Sequence, residues 1–210
     1  MKRIVFSLLF LLPAMAFAQT ATLKDLFTNP DLTPVFLGCD WTLVKVINDP
    51  NAHAGIMVDK TFHDINDLLL KESKKYDVKG ALHQNSILNE TSSVNQRISL
   101  IDSTKVMSTN TADATRLKPE DIQQVASGVD PKGNKGLGVL FVVEALDKGN
   151  KEVTLWCTIV DLSTMKVLMT QRFVGKTGMA FGEKNYWASG IHSCIEKIGD
   201  NYKSWKKQYQ

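Results

Sequence analysis

The stretch from Leu137 to Val174 limits the fold more than any other part of the chain. Leu137 to Leu146 is almost continuously apolar, and Asp147-Lys148-Gly149-Asn150 then supplies a hairpin turn. Glu152 to Asp161 alternates, with Val153, Leu155, Cys157 and Ile159 on one face. Leu162-Ser163-Thr164-Met165 turns the chain again, and Lys166 to Val174 returns rich in β-forming residues. This spacing predicts three consecutive strands in an antiparallel meander. After a glycine-bearing loop, Trp187, Ile191, Cys194, Ile195, Ile198, Tyr202 and Trp205 fall on one stripe of a long helix that starts near Lys184.

The first two thirds add alternating elements. Val35 to Ile47 reads as one strand with Val35, Leu37, Cys39, Trp41 and Leu43 on one face and Phe36, Val44 and Val46 on the other. Apolar residues on both faces predict a central position. Asp59 or Thr61 opens a helix to about Tyr76, with Phe62, Ile65, Leu68 and Leu69 inward. Gly80 to Gln96 carries no clear period, and Ile98 to Val106 reads as a strand. Lys118-Pro119-Glu120-Asp121 opens a short helix, with proline and acids in its first turn. The resulting order, β-α-β-α-β-β-β-α, predicts an α/β (α+β) sandwich with a mixed sheet of about five strands.

The N-terminus predicts export. Lys2 and Arg3 precede an apolar run from Ile4 to Leu12, and Ala16-Phe17-Ala18 places small residues where a signal peptidase reads. The organisation is then a signal peptide over 1–18, an extended leader over 19–34 and one α/β domain over 35–210, with a soluble periplasmic or secreted product. The apolar run is shorter than the roughly 20 residues of a membrane span, so no transmembrane segment is expected after cleavage. Losing Lys2 and Arg3 lowers the basic count from 25 to 23 against 22 acids, a net charge of +1. That balance gives no electrostatic basis for a nucleic-acid partner. Phe36-Leu37-Gly38-Cys39 has the look of a lipid-attachment motif, but Lys24, Asp25 and Pro30 separate it from the apolar segment. Three cysteines, Cys39, Cys157 and Cys194, all lie in apolar segments; a Cys39–Cys157 bridge requires their strands to be neighbours.

Catalytic signals are few. Gly175-Lys176-Thr177 resembles the end of a phosphate loop, but position 170 is threonine where that motif needs glycine. No two of His53, His63, His83 and His192 have zinc-ligand spacing, and Asp59, His63 and Asp67 read as an exposed helix face. There is no GxSxG elbow. No cofactor and no metal are expected. Asp40 interrupts an apolar strand beside Trp41 and needs either a partner or a strand-end position. Asp40, Tyr186 and Trp187 mark a candidate interaction surface, with Tyr186 and Trp187 inside the distinctive segment Phe181 to Ala188. The alternative is that Tyr186 and Trp187 seal the core beneath the meander, since Trp187 continues the apolar stripe of the last helix.

The hairpin Val160-Asp161-Leu162-Ser163-Thr164-Met165-Lys166-Val167-Leu168 resembles the VDxxTGxVL hairpin of the TolB N-terminal domain and of the CsgG group, which includes LpoB. The strand over Gly138–Glu144 and the closing helix follow the same order, so the resemblance spans about residues 137–200. Met165 stands where that pattern has glycine. The pattern is also similar to that of exported proteins of uncharacterised function. The resemblance implies an envelope α/β module that assembles with partners and carries no family active site. The expected function is therefore an exported, non-catalytic binding or adaptor module for an envelope protein or cell-surface component. The alternative is a small metal-free hydrolase using Asp or Glu in a cleft.

Overall fold

The computed structural model describes residues 21–209. The signal segment and its cut after Ala18 lie outside the described residues. A short helix, α1 (Leu23–Thr28), is closed at its start by Thr22 and Asp25, whose side chains each bond the other's backbone N–H. Strands β1 (Val35–Asp40) and β2 (Lys45–Ile47) follow. Next come α2 (Ala54–Ile56), a π-helical turn (Met57–Thr61), α3 (Phe62–Lys71) and α4 (Val78–Ala81). Two-residue β3 (Leu88–Asn89), α5 (Ser92–Ile98), two-residue β4 (Met107–Ser108) and α6 (Pro119–Ser127) lead to the long strands. These are β5 (Leu137–Asp147), β6 (Glu152–Asp161) and β7 (Lys166–Lys176), and α7 (Glu183–Tyr209) closes the chain.

The sheet is mixed. β5 pairs antiparallel with β6 along its length, and β6 pairs antiparallel with β7. The other edge of β5 carries β1 opposite Gly138–Val142 and β2 opposite Ala145–Asp147, both parallel. β1 and β2 therefore run end to end as one interrupted strand. β3 and β4 pair parallel with them on the outside. Seven strand segments thus occupy five ribbons, with β5 in the middle.

Alternate residues of β5 feed two apolar clusters. Val139, Phe141 and Val143 join α3 and α7, while Leu140 and Val142 join Ile122, Val125 and Ala126 of α6. Helices cover both faces of this strand, which is why its sequence is apolar except at Glu144 and Asp147. The stripe of α7 predicted from Trp187 to Trp205 is buried at every position.

Four expectations are corrected. The leader expected to be extended over 19–34 contains a helix in its described part: α1 forms over Leu23–Thr28, and Leu26 and Phe27 are buried against α7, where Phe27 stacks with Tyr209 and packs on Tyr202. Burial of these two large side chains stabilises the helical turn, which the prolines at 30 and 34 follow and do not interrupt. The strand expected over Ile98–Val106 is instead the end of α5 and a 3-10 turn, with pairing only at Met107–Ser108. The face assignment of Val35–Ile47 breaks at Gly38, where a bulge with φ +92 shifts the register against β5. Cys39 and Trp41 consequently join Phe36 in one cluster, leaving Val35 and Leu37 in the other. A side chain at Gly38 would also press on Thr91 and Val94 at 3.0 Å. Finally, Cys39 and Cys157 both lie opposite Phe141 on β5 and so are two strands apart. At about 4.8 Å per strand that is beyond disulfide reach.

The hairpin between β6 and β7 requires a left-handed residue. Met165 supplies it with φ +54, at the place where glycine carries least strain. Its buried side chain packs into the α6 cluster and offsets that strain.

Candidate functional site

β2 and β5 run parallel and end at Ile47 and Asp147, so the loops that follow emerge on one side of the sheet. Open sheets of this kind hold ligands outside the carboxyl ends of their strands. A cleft of about 390 Å³ lies there, lined by Asp49, His53, Ile56, Lys148, Glu183 and Tyr186 among others. The loops are fixed locally. The Lys148 N–H donates to the Ile47 carbonyl at 2.9 Å, and Asp49 Oδ1 accepts from the Asn51 N–H at 3.1 Å. Thr61, in the π-helical turn, donates to Glu183 Oε2 at 3.1 Å and ties the start of α7 to the helix before α3. Single π-turns of this kind gather at functional sites.

Lys148 organises the cleft. Its Nζ sits 3.7 Å from the centre of the Tyr186 ring and 5.5 Å from that of Trp187, with Asp49 Oδ2 at 4.0 Å. Cation–π attraction and the carboxylate hold the ammonium at the cleft wall. Tyr186 and Trp187 meet edge to face at 4.8 Å. Trp187 is fully buried and Tyr186 half-buried, so the structure separates the two aromatics that the sequence grouped. Trp187 belongs to the core and is corrected as a surface residue; its packing closes the space between α7 and the sheet.

Beside the cleft, Ala180 and Tyr186 are shared with a groove of about 560 Å³ formed by Lys151 and Thr177–Phe181. Met179 and Phe181 are essentially fully exposed, at 106% and 97%, and Ile56 is 53% exposed. Among the described residues, three of the five large apolar side chains left in water thus sit around one end of the sheet, Met179 and Phe181 on a loop and Ile56 at the end of α2. The sequence marks Phe181 only as the start of a distinctive segment and does not mark Met179, because nothing in local spacing distinguishes an exposed apolar loop residue from a buried one.

Asp40 is also corrected as a surface residue. It is fully buried, and Arg97 Nε donates to its Oδ2 at 2.6 Å while the Thr42 N–H donates to Oδ1 at 2.9 Å. Arg97 in turn donates to the Gly128 carbonyl at 2.8 Å, so the ion pair fastens α5 to the end of α6. Glu144, equally buried, was not singled out from sequence. It accepts from the Leu117 N–H at 2.6 Å, Trp156 Nε1 at 2.8 Å and Arg172 Nε at 3.0 Å. Arg172 lies 4.7 Å over the Trp156 ring. The available signal was the one that flagged Asp40, an acid inside an apolar strand. Both carboxylates are saturated by hydrogen-bonded arginines, the arrangement that a buried charge demands.

The remaining candidates have structural roles. Lys176 pairs with Glu152 at 2.7 Å, and Gly175 allows α7 to approach β7: a side chain there would stand 2.0 Å from the Gly190 carbonyl oxygen. Asp67 pairs with Lys71, and no cluster of three or more potential metal ligands occurs among the described residues. The three thiols are free and buried, and burial pushes all of them up, Cys194 to about 12. Among the described residues no helix is long and apolar enough to cross a membrane. No protein-family model and no curated protein matches the chain.

Proposed function

We propose that this protein is an exported, soluble and non-catalytic binding or adaptor module that engages an envelope protein or cell-surface component. The observation that carries the reading is the exposed pair Met179 and Phe181 beside the Tyr186–Lys148 cleft. Exposed aromatic and methionine side chains around a partly polar cleft are the composition of a protein interface. The export segment at residues 1–18 supplies the compartment, and β5–β7 with α7 are read as the meander and closing helix of a sandwich resembling the TolB and CsgG modules. The hydrolase alternative has less support: the two acids that line the cleft are engaged, Asp49 by the Asn51 N–H and the Lys148 ammonium and Glu183 by the Thr61 hydroxyl, and the buried Asp40 and Glu144 are each bound to an arginine.

The test is cross-linking and pull-down from the native envelope with mature protein beginning at Gln19. A partner retained by the wild type and lost with Phe181→Ser and Met179→Ser supports the reading. Retention of the same proteins by both variants refutes it. Mass spectrometry of the exported product tests the compartment, since an intact Lys2–Ala18 segment contradicts export with cleavage.

A further inference from the structure

A separate cavity, about 420 Å³, opens near the amino end of β1, where β3 pairs with it. Its floor is apolar, made by Phe36, Leu69, Leu70 and Ile87, and its rim carries Lys74 and Lys79. We propose that this cavity binds an amphipathic anion, a small carboxylate carried on an apolar body. The inference is independent of the binding face at the opposite ends of the strands.

The charge pattern around the cavity is uneven. Lys71 and Lys75 on the same stretch are paired with Asp67 and Glu72, at 3.1 and 3.8 Å. Lys74 and Lys79 form no ion pair among the described residues, and Lys79 is half-buried. One acid, Asp77, also lines the cavity, but its Oδ1 is engaged by the Gly80 N–H at 2.8 Å, where it caps α4. Ser86 is likewise engaged, its hydroxyl 2.5 Å from that of Thr33. The rim therefore keeps an excess of positive charge above an apolar floor.

A neutral apolar ligand would cover the floor and leave both ammoniums without a partner. A small hydrophilic anion would pair with the rim and leave the floor wet. A ligand with both parts satisfies both surfaces, and attraction to a half-buried ammonium is stronger than in open water. The volume lies in the range of small-molecule sites, roughly 300–1,000 Å³.

Octanoate is the probe, titrated into the mature protein and followed by calorimetry and by amide chemical shifts. Saturable binding that shifts Leu70 and Ile87 is expected, with octanol and acetate each weaker by about tenfold or more. The Lys74→Ala/Lys79→Ala double variant should weaken octanoate by a similar factor at unchanged thermal stability, and the corresponding double arginine variant should retain it. Absence of saturable binding, octanol binding as tightly as octanoate, or an unaffected alanine variant would each overturn the proposal.

Discussion

The side-chain amide of Asn66 on α3 bonds both backbone groups of Cys39 on β1: the Cys39 N–H donates to Asn66 Oδ1 at 2.9 Å, and Asn66 Nδ2 donates to the Cys39 carbonyl at 3.0 Å. β3 pairs only with Val35 and Phe36, so the edge of β1 beyond them lacks a strand neighbour, and Asn66 takes the place of one. Its Nδ2 also donates to Asn95 Oδ1 at 2.8 Å, which joins α5 to the same point. Asn66→Ala should cost roughly 2–4 kcal/mol, because it leaves two buried backbone groups unpaired. Asn95→Ala should cost about 1 kcal/mol, since Cys39 keeps its partner. Urea unfolding of both variants distinguishes this edge-capping role from simple loss of contact.

Gly175 and Gly178 provide a matched pair. A methyl group at 175 meets the Gly190 carbonyl oxygen and the Cys194 nitrogen at 2.0 and 2.7 Å, whereas at 178 its nearest neighbour is Ser189 Oγ at 3.9 Å. Gly175→Ala should therefore lower stability by about 1–3 kcal/mol, while Gly178→Ala should leave it within about 0.5 kcal/mol. Equal effects in denaturant melts would mean that the close contact of α7 with β7 is not what holds residue 175 to glycine.

Trp187 is fully buried between α7 and the sheet. Trp187→Ala should destabilise the fold by roughly 3–5 kcal/mol through lost burial and a residual cavity. A change below about 1 kcal/mol would return Trp187 to the surface role considered from sequence.

The three buried thiols make stability fall at alkaline pH. Burial raises each native thiol above its ordinary range, Cys194 to about 12, so the unfolded chain loses these protons first. The stabilisation is complete below the unfolded thiol range, near 8.5, and is lost as pH rises toward the native values. The slope is up to about 1.4 kcal/mol per pH unit for each thiol. Unfolding free energies from pH 8 to about 10.5 should fall more steeply for the wild type than for a triple Cys→Ala variant. Parallel slopes would show that the thiols titrate alike in both states. Native protein should also resist Ellman's reagent until denatured, because the thiolate is the reactive species.

The periodic elements are legible in the sequence. Alternation placed Val153, Leu155, Cys157 and Ile159 on one face, and all four share the α7 cluster. The 3.6-residue stripe from Trp187 to Trp205 and the proline-acid opening of α6 were equally plain, and the Lys118 N–H does bond Asp121 Oδ2, at 2.8 Å. These features are local: backbone period and side-chain direction fix them within a dozen residues.

What tertiary structure decided were the events without a period. The Gly38 bulge moves Cys39 and Trp41 to the opposite cluster, and a single extra residue leaves no mark on apolar spacing. β3 and β4 contribute two residues each, too few to alternate, and they become strands only because β1 and β2 offer free backbone groups. Burial drew α1 onto α7. For the sites, sequence could point to Asp40 but not to Arg97, which lies 57 positions away and neutralises it. It could name Tyr186 but not the Lys148 ammonium on its ring, nor the exposure of Phe181, because charge pairing and solvent contact depend on which distant segments pack together.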